Sequence, residues 1–458
     1  MRPGDRIELL ATDLDLEGLG VGRAGDIDVH AVDLLPGERA EVAIDHVSRH
    51  APRAWAAAGR RLGPPAPERV TPPCPAFPRC GGCAWQHLDG AAQLEHKRRR
   101  VERALGTLSP APAVAPVVPS PNQLGYRNKA SYVVSGAGGH PALGAYAARS
   151  HAWVDTAGCR VVMPVVDRTA AAVRAALSGG ELAVYDESLR AGHLRYAVVR
   201  ASRAGQVLVG LVATSAAPRP ALERAAAAVM AEPGVAGVVW VANDATSGTI
   251  IPPDAAIRVL AGAPSIGETL AGVAVDVGID SFLQIHLDQA EALYARLADL
   301  VGAGPTTRAI DLYCGLGAIA FTLAVRGARA LGLERNPSAA RAAGRAAERA
   351  GLAERARFTA APAAELPRLL GREPVDLIVV NPPRQGLDPV VRRELAAHPP
   401  PLLAYVSCGP ESLARDLAEL ARGGLEVDAV EPFDLMPGTG HVETLVIARR
   451  SGRARDRS

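Results

Sequence analysis

The stretch that decides the fold is TRAIDLYCGLGAIAFTLAV, residues 307–325. Its first seven residues predict a strand, the glycines Gly315 and Gly317 predict a tight turn, and the apolar run after them predicts a helix. Such a unit brings backbone N–H groups and a helix N-terminus to one point, which suits a nucleoside-bearing or carboxylate-bearing cofactor. Ala320 stands where a dinucleotide fingerprint has its third glycine, which favours S-adenosylmethionine over NAD.

Three further strand candidates follow, namely RALGLE (329–334), VDLIVV (375–380) and LAYVSC (403–408), with Ala- and Leu-rich helical segments between several of them. This alternation predicts a mostly parallel, doubly wound sheet, in which ligands bind at the carboxyl ends of the strands. Glu334 at one such end suits ribose hydroxyls. Asn381 can both donate and accept towards a flat heterocycle, and Cys408 becomes a nucleophile once its thiol ionises. Taken singly, each feature also has a purely structural interpretation. The glycine segment also fits an ordinary tight turn, Asn381 also fits a loop after a buried strand, and Cys408 also fits a buried packing residue.

The last apolar strand candidate, TLVIA, is preceded by His441 and Glu443. These two residues alternate with Val442, so in a strand they would point the same way. A carboxylate beside a nucleophile suits general-base catalysis, whereas the alternative is a solvated charge before an edge strand. Cys314, inside the glycine loop, is interpreted as a packing residue.

The upstream part of the chain predicts two more units. Residues 1–58 alternate short β-like runs with Gly and Pro turns, the pattern of a small antiparallel barrel. Residues 59–265 hold a Pro-rich linker, a polar helix near 88–105 and an α+β middle domain with an Ala-rich helix near 217–231. We expect the α/β domain to span 266–450 and residues 451–458 to form a basic, disordered tail.

Composition excludes several classes of protein. The 458 residues are 48% hydrophobic, and 50 Lys and Arg against 48 Asp and Glu give a net charge of +2. This balance excludes a histone-like polybasic protein and an acidic disordered one, but it permits a local basic patch. Since no apolar run reaches the roughly 18 residues of a membrane span and the N-terminus is charged, we expect a cytoplasmic protein without a membrane partner.

Four of the six cysteines have a spacing typical of a metal site. Cys74, Cys80 and Cys83 form C-x5-C-x2-C, and Cys159 follows at a distance. In a reducing compartment such spacing favours metal binding or catalysis over disulfides. Four thiolates suit a [4Fe–4S] cluster or tetrahedral zinc equally well, and free thiols remain a third alternative.

Taken together, the motifs resemble the RNA uracil-5 methyltransferases, and among them the 23S rRNA members that carry an iron–sulfur cluster. The resemblance extends over nearly the whole chain. The matching segments are a TRAM-like module at 15–38, the four cysteines, Tyr126–Lys129, Phe282–Gln284, Asp311–Gly317, Asn381–Gly386, Ser407–Pro410 and Pro437–Glu443. It implies a multidomain α/β protein with an OB-like TRAM barrel, an α+β middle domain bearing the iron–sulfur site, and a Rossmann-like class I methyltransferase domain.

The resemblance also implies a reaction, the S-adenosylmethionine-dependent methylation of C5 of a uridine in RNA. Cys408 as thiolate adds to C6, C5 then takes the methyl group, and Glu443 removes the C5 proton before Cys408 is eliminated. The implied cofactor-binding residues are Gln284, Asp311, Tyr313, Gly315, Gly317, Glu334 and Asn381, with Asn381 also expected to hold the edge of the target base. The implied ligands of a [4Fe–4S] cluster are Cys74, Cys80, Cys83 and Cys159.

For the partner, the resemblance implies RNA, with rRNA favoured over tRNA because the cluster cysteines are present, and we expect a monomer. The target base must leave its stack to reach the nucleophile. The N-terminal barrel and the run Arg98–Arg100 are candidates for holding the RNA backbone. A solvated helix face explains that arginine run equally well.

Several positions depart from the family pattern. Asn381 replaces an Asp, His286 and Gly409 each replace an Asn, and Ala318 and Ala361 stand where polar cofactor contacts are expected. Because the Asn381 amide could donate to cytosine N3, cytosine remains an alternative target, as does tRNA. A third alternative is an RNA-binding paralogue that has lost methyl transfer.

Overall fold

The N-terminal part forms a curled sheet. The computed structural model describes residues 1–136, 141–370 and 374–452. The first strands are β1 (Arg6–Leu10), β2 (Asp13–Leu14), β3 (Gly20–Ala24), β4 (Ile27–Ala31), β5 (Arg39–Val47), β6 (Arg53–Ala56) and β7 (Arg60–Arg61). Their order is β1-β5-β6-β4-β3-β2 with β7 beside β5, and β4–β6 is a parallel pair. A Cβ at Gly22 would lie 2.2 Å from the Leu10 carbonyl oxygen, so glycine lets β3 approach β1 closely.

The helix α1 (Gly90–Leu105) links this sheet to the C-terminal part of the chain. It begins where the Asp89 carboxylate accepts hydrogen bonds from the N–H groups of Ala91 and Ala92, a standard N-cap. Inside α1, the ammonium group of the fully buried Lys97 lies 2.6 Å from Asp434. A buried charge requires such a partner, so this ion pair fixes α1 against the C-terminal domain.

The middle of the chain forms a second sheet, as the α+β pattern predicts. Its strands are β8 (Lys129–Ser135), β9 (Ala142–Tyr146), β10 (Trp153–Asp155), β11 (Leu194–Ala201), β12 (Val207–Ala213), β13 (Val235–Ala242) and β14 (Ile257–Gly262). They lie in the order β10-β9-β8-β11-β12-β13-β14. The helices α2 (Pro164–Leu177) and α3 (Arg219–Val229) pack on one face. The sequence interpretation anticipated α3 and missed α2. A hairpin, β15 (Ser265–Leu270) and β16 (Val273–Gly278), lies on the other face.

The C-terminal part is an α/β sheet with helices on both faces. Its elements are α4 (Leu287–Leu300), β17 (Arg308–Leu312), α5 (Ala318–Val325), β18 (Arg329–Glu334), α6 (Pro337–Arg349), β19 (Ala356–Ala360), α7 (Leu366–Leu369), β20 (Leu377–Val380), α8 (Pro389–Ala397), β21 (Leu402–Ser407), α9 (Pro410–Arg422), β22 (Leu425–Phe433) and β23 (Glu443–Arg450). The strand order is β19-β18-β17-β20-β21-β23-β22, in which β23 is antiparallel to both neighbours and the preceding strands are parallel.

This strand order locates the ligand crevice. The order runs outwards in opposite directions from β17 and β20, and a doubly wound sheet binds ligands where the direction changes. Across the described ranges, no helix has the length and apolar character needed to cross a bilayer. Of the expected basic tail, residues 453–458 lie outside the described residues.

Candidate active site

The glycine loop joins β17 to α5 through backbone conformations that favour glycine. Tyr313, Gly315 and Gly317 have φ values of +62°, +57° and +85°. A Cβ at Gly317 would lie 2.6 Å from the ring of Phe358, so a side chain there would clash as well as strain the backbone. The loop therefore starts α5 directly beside the end of β17, as the sequence predicts.

Two acidic residues, Glu334 and Asp311, hold the glycine loop and the start of α5 by accepting hydrogen bonds from backbone N–H groups. The Glu334 carboxylate accepts hydrogen bonds from the N–H groups of Gly315 at 3.0 Å and Asn336 at 2.7 Å. One Asp311 oxygen accepts from the N–H of Ala320 at 3.1 Å, while the other is buried without a hydrogen-bond partner among the described residues. Burial raises the pKa of Asp311 to about 8, and the nearby charge of Glu334 adds to the effect. Asp311 therefore holds its proton more tightly than an exposed carboxyl does.

Cys408 lies at the carboxyl end of β21, immediately before α9, and is half-buried. Burial and the neighbouring Glu443 raise the pKa of its thiol, whereas Arg384 lowers it through its charge and a hydrogen bond. In Cys314, burial together with Asp311 and Glu334 raises the thiol pKa well above its usual value. Because the nucleophile is the thiolate, Cys408 is the better candidate, and the packing interpretation of Cys314 fits its place in the loop.

Glu443 is the first residue of β23 and is 4% exposed. Since β23 lies between β21 and β22, the alternative of a solvated charge before an edge strand is wrong. Burial raises the pKa of Glu443 to about 8, and Arg384 opposes the shift. His441 lies two residues before β23 begins, and the charge of Arg384 acts on both His441 and Glu443. Burial lowers the pKa of His441 to about 4.

Gln284 lies at the same edge, held by residues distant in sequence. Its carbonyl oxygen accepts from the side-chain amide of Asn128 at 2.9 Å, and its side chain hydrogen-bonds to Tyr294. Tyr294 is buried near Glu443 and Asp311, and burial followed by these two charges raises its pKa. Tyr294 thus connects three of the candidate residues. The sequence analysis missed it because a tyrosine at a core position of a helix looks like packing.

Asn381 and Tyr313 complete the edge between β17 and β20. The backbone N–H of Asn381 donates to the carbonyl of Leu312 at 3.4 Å, so the side chain begins beside the glycine loop. The Tyr313 hydroxyl accepts from the N–H of Asp388 at 3.2 Å. The candidate residues of the resemblance therefore meet at one edge of the sheet. Arg384, which acts on both Cys408 and Glu443, lies within the matching segment Asn381–Gly386, but the motif by itself indicates no role for it.

For two of the positions that depart from the family pattern, His286 and Gly409, the structure shows what surrounds the residue. His286 is buried, lies 2.7 Å from the hydroxyl of Ser120 and stacks on Tyr126 with ring centroids 4.6 Å apart. A Cβ at Gly409 would lie 2.8 Å from the hydroxyl of Ser412, so a larger residue requires that side chain to move. Of the others, Ala318 begins α5 and Ala361 follows β19.

The four cysteines of the expected metal site converge, although they come from separate segments. Cys74, Cys80, Cys83 and Cys159 line one cavity of about 170 Å³ and form no disulfide. Within the described part of the chain, however, no group of three or more His, Cys, Asp or Glu residues is arranged to hold a metal ion. The structure therefore shows a shared cavity lined by the four cysteines but no metal site among the described residues, and the iron–sulfur cluster stays a prediction.

The arginine run of α1 is engaged within the protein. Arg98 and Arg99 pair with Glu95, and Arg100 pairs with Glu411 at 2.9 Å. These contacts within the protein favour the alternative interpretation, a solvated helix face, over that of an RNA-binding patch.

Proteins similar to this chain are RNA methyltransferases, in agreement with the residues found at the candidate site. A family model described as tRNA (Uracil-5-)-methyltransferase matches residues 301–451. An uncharacterised RNA methyltransferase of Thermosynechococcus vestitus is 34% identical over 98% of this chain and 99% of its own length. Another, of Geobacter sulfurreducens, is 33% identical over 97% and 90%.

Among solved structures, the Pyrococcus abyssi tRNA (uracil-54, C5)-methyltransferase in complex with S-adenosyl-L-homocysteine has a TM-score of 0.76 and 25% identity, covering 96% of this chain and 100% of that one. The resemblance to the RNA uracil-5 methyltransferases is thereby confirmed. With its doubly wound sheet and the residues gathered at its carboxyl edge, the chain belongs to the RNA (uracil-5-)-methyltransferase family of class I, S-adenosylmethionine-dependent enzymes.

Proposed function

We propose that the chain methylates C5 of a uridine in 23S rRNA, with Cys408 as nucleophile and Glu443 as base. The observation that carries this proposal is their placement at neighbouring ends of two adjacent strands, since Cys408 follows β21 and Glu443 begins β23. Ser407 of β21 pairs with Thr444 of β23, so Cys408 and Glu443 leave the ladder at the same edge. The raised thiol pKa of Cys408, to which Glu443 contributes, indicates that the two groups act on each other.

In this mechanism, the Cys408 sulfur adds to C6 and moves electron density to C5. Bound S-adenosylmethionine would supply the methyl group: a bond would form between C5 and the methyl carbon while the bond from that carbon to the positively charged sulfur breaks, and S-adenosylhomocysteine would be the leaving group. Glu443 then accepts the C5 proton, the electrons of that C–H bond restore the C5–C6 double bond, and the bond between sulfur and C6 breaks. A base with a pKa near the working pH can take up and release the proton efficiently. Arg384 stabilises the thiolate form of Cys408.

For the cofactor, we propose that it binds over the glycine loop. Gly315 and Gly317 place no side chain on the loop, and Asp311, at the end of the strand before it, has one oxygen without a hydrogen-bond partner among the described residues. Glu334 lies at the end of the neighbouring strand. The expected contacts of Gln284, Tyr313 and Asn381 are part of this proposal.

The decisive experiment combines unmodified 23S rRNA and tRNA with labelled S-adenosylmethionine and identifies the methylated nucleoside after digestion. Label in 5-methyluridine of 23S rRNA supports the proposal. Label in tRNA instead makes tRNA the substrate, which the similarity to an archaeal tRNA enzyme favours as second candidate. Label in 5-methylcytidine assigns the change of base to Asn381, and no product on either RNA favours the binding paralogue.

The covalent step has its own test. RNA carrying 5-fluorouridine at the target should trap a protein–RNA adduct, because fluorine at C5 cannot leave as a proton. The substitution Cys408→Ala should abolish the adduct, whereas the matched Cys314→Ala should keep it. An adduct that persists in Cys408→Ala and is lost in Cys314→Ala would transfer the role to Cys314.

We further propose that the N-terminal sheet is a TRAM-like module and that Cys74, Cys80, Cys83 and Cys159 hold a [4Fe–4S] cluster. The proposal rests on their shared cavity and on the capacity of four thiolates to bind such a cluster. Iron and sulfide analysis of anaerobically prepared protein tests it. Replacing Cys83 with Ser should reduce both contents and replacing Cys314 with Ser should not, whereas zinc without sulfide would exclude the cluster.

A further inference from the structure

The loop 381–388, which joins β20 to α8, brings Arg384 to the turn that holds Cys408. The carbonyl oxygen of Arg384 lies 3.2 Å from the position of a Cβ on Gly409, the residue after Cys408. The guanidinium of Arg384 lowers the thiol pKa of Cys408 through its charge and a hydrogen bond. Both effects weaken as the separation grows. Whatever fixes this loop therefore bears on the candidate nucleophile.

The helix α9 begins two residues after Cys408 and holds the loop through its side chains. Three of them are hydrogen-bonded to backbone groups of the loop. The pairs are Ser412 with the Arg384 carbonyl at 3.0 Å, Arg415 with the Gln385 carbonyl at 2.6 Å, and Asp416 with the Leu387 N–H at 2.7 Å. Because α9 follows Cys408 directly in the chain, these contacts link the position of the loop to the position of the nucleophile.

Asp416 is the fully buried member of this set, at 0% exposure. One of its carboxylate oxygens accepts from the Tyr405 hydroxyl at 2.8 Å and from the Leu387 N–H. The other accepts from the guanidinium groups of Arg392 and Arg415, each at 2.9 Å. A buried charge with partners on every side has little freedom to move. The carboxylate is thus a fixed point at the junction of β21, α8 and α9.

The loop approaches this carboxylate closely at a glycine. Gly386 has a φ of +85°, and a Cβ there would lie 2.4 Å from an oxygen of Asp416. Glycine is the residue that permits both the left-handed conformation and the close approach. A loop fastened at Leu387, three residues after Arg384, restricts how far Arg384 can move from Cys408.

Packing of α8 against α9 does not by itself account for Asp416. Arg392 of α8 also pairs with Glu419 of α9 at 2.6 Å, an ion pair that involves no residue of the loop. Burying a carboxylate is costly even when it is paired. The contact that Asp416 adds is the one to the loop.

We infer that Asp416 is a positioning residue, which together with Ser412 holds the loop 381–388 so that the side chain of Arg384 faces the sulfur of Cys408. The inference rests on the proposed role of Cys408 as nucleophile. Asp416 acts through Arg384, since its own contacts are to groups of the protein.

The first test is the pH dependence of Cys408 alkylation in Asp416→Asn, followed by peptide mass spectrometry. We expect the half-maximal rate to move to higher pH by about 0.5–1 unit, part of the roughly 1–3 units by which a close opposite charge lowers a pKa. The other charged group acting on the thiol, Glu443 of β23, is unchanged in this variant. Loss of a negative charge acting directly on the thiol would move the profile to lower pH instead. A profile that moves to lower pH, or that stays in place, overturns the inference.

Two further variants separate positioning from helix packing. Glu419→Gln is the matched control, because it removes another carboxylate of α9 that pairs with Arg392, and its profile should match the wild type. The double variant Arg384→Gln/Asp416→Asn should match Arg384→Gln alone, since no guanidinium is left to position. An equal shift in Glu419→Gln, or an additional shift in the double variant, contradicts the inference.

Ser412→Ala keeps the inference testable where Asp416→Asn does not fold, as judged by urea denaturation. It removes the hydroxyl that holds the Arg384 carbonyl, so the alkylation profile should move in the same direction by a smaller amount, and an unmoved profile overturns the inference. Trapping with 5-fluorouridine RNA distinguishes the two proposals. Shifted profiles without a wild-type adduct would keep the positioning role and refute the proposed reaction, whereas an adduct at Cys408 with unmoved profiles would refute the positioning role alone.

Discussion

Replacing Glu443 with Gln should change how the stability of the protein depends on pH. Glu443 is 4% exposed, and burial raises its pKa from 4.5 to about 8. Below pH 4.5 the carboxyl is protonated in both states and its contribution to stability is fully present; as the pH rises towards 8 that contribution is lost, because the unfolded chain releases the proton first. At about 1.4 kcal/mol per pKa unit, the loss between pH 6 and pH 9 is roughly 2–3 kcal/mol.

The assay is urea denaturation of both proteins at pH 6, 7, 8 and 9. The variant cannot titrate at this position, so its free energy of unfolding should rise relative to the wild type by roughly 2–3 kcal/mol across this range. Asp311 also titrates near pH 8, but it is present in both proteins and cancels in the difference. The comparison therefore reports on Glu443 together with the thiol of Cys408, whose pKa depends on Glu443.

A second readout uses the coupling between Glu443 and Cys408. Because the carboxylate raises the thiol pKa of Cys408, alkylation of Cys408 in the Gln variant should reach its half-maximal rate at lower pH. Peptide mass spectrometry separates Cys408 from the other cysteines. A stability difference that stays flat from pH 6 to pH 9 would refute the reasoning, since it would mean that Glu443 is ionised in the folded protein throughout.

Three other substitutions test the site and the fold. Arg384→Gln should raise the thiol pKa of Cys408, because the guanidinium lowers it, and its alkylation profile should move to higher pH. Gly317→Ala should destabilise the protein by about 1–3 kcal/mol and weaken cofactor binding, because φ there is +85° and a Cβ would meet an aromatic ring at 2.6 Å; urea denaturation and calorimetry measure the two effects. Lys97→Met should cost about 3–5 kcal/mol in urea denaturation, because it leaves a buried carboxylate without its partner.

Each of these has a control or a contradicting outcome. Gly344→Ala lies inside α6 with open space around the new Cβ, so it should be neutral or stabilising by up to about 1 kcal/mol. Equal losses for Gly344→Ala and Gly317→Ala would mean that loop geometry is irrelevant. An alkylation profile that does not move in Arg384→Gln would separate Arg384 from the nucleophile, and a stable Lys97→Met would show that its ion pair is dispensable.

The sequence by itself determined the local architecture and the family. The strand–loop–helix unit at 307–325 could be predicted because glycines with positive φ and apolar periodicity act within a few residues of one another. The helix expected near 88–105 is α1 at Gly90–Leu105, since its capping aspartate and its pattern are also local. The sequence also predicts that the motif residues lie at one edge of the sheet, because parallel strands have their carboxyl ends at the same edge.

Tertiary structure alone decided which of these residues are buried and what charges surround them. Lys97 and Asp434 are 337 residues apart, and nothing in either segment predicts that they pair. The sequence permits Glu443 to be a solvated charge before an edge strand. The structure excludes this, because β23 lies between β21 and β22 and Glu443 is buried. The buried Asp416 likewise meets the Leu387 N–H only through tertiary packing. Burial, dielectric environment and charge partners depend on atoms contributed by distant segments, so they follow from packing and not from sequence pattern.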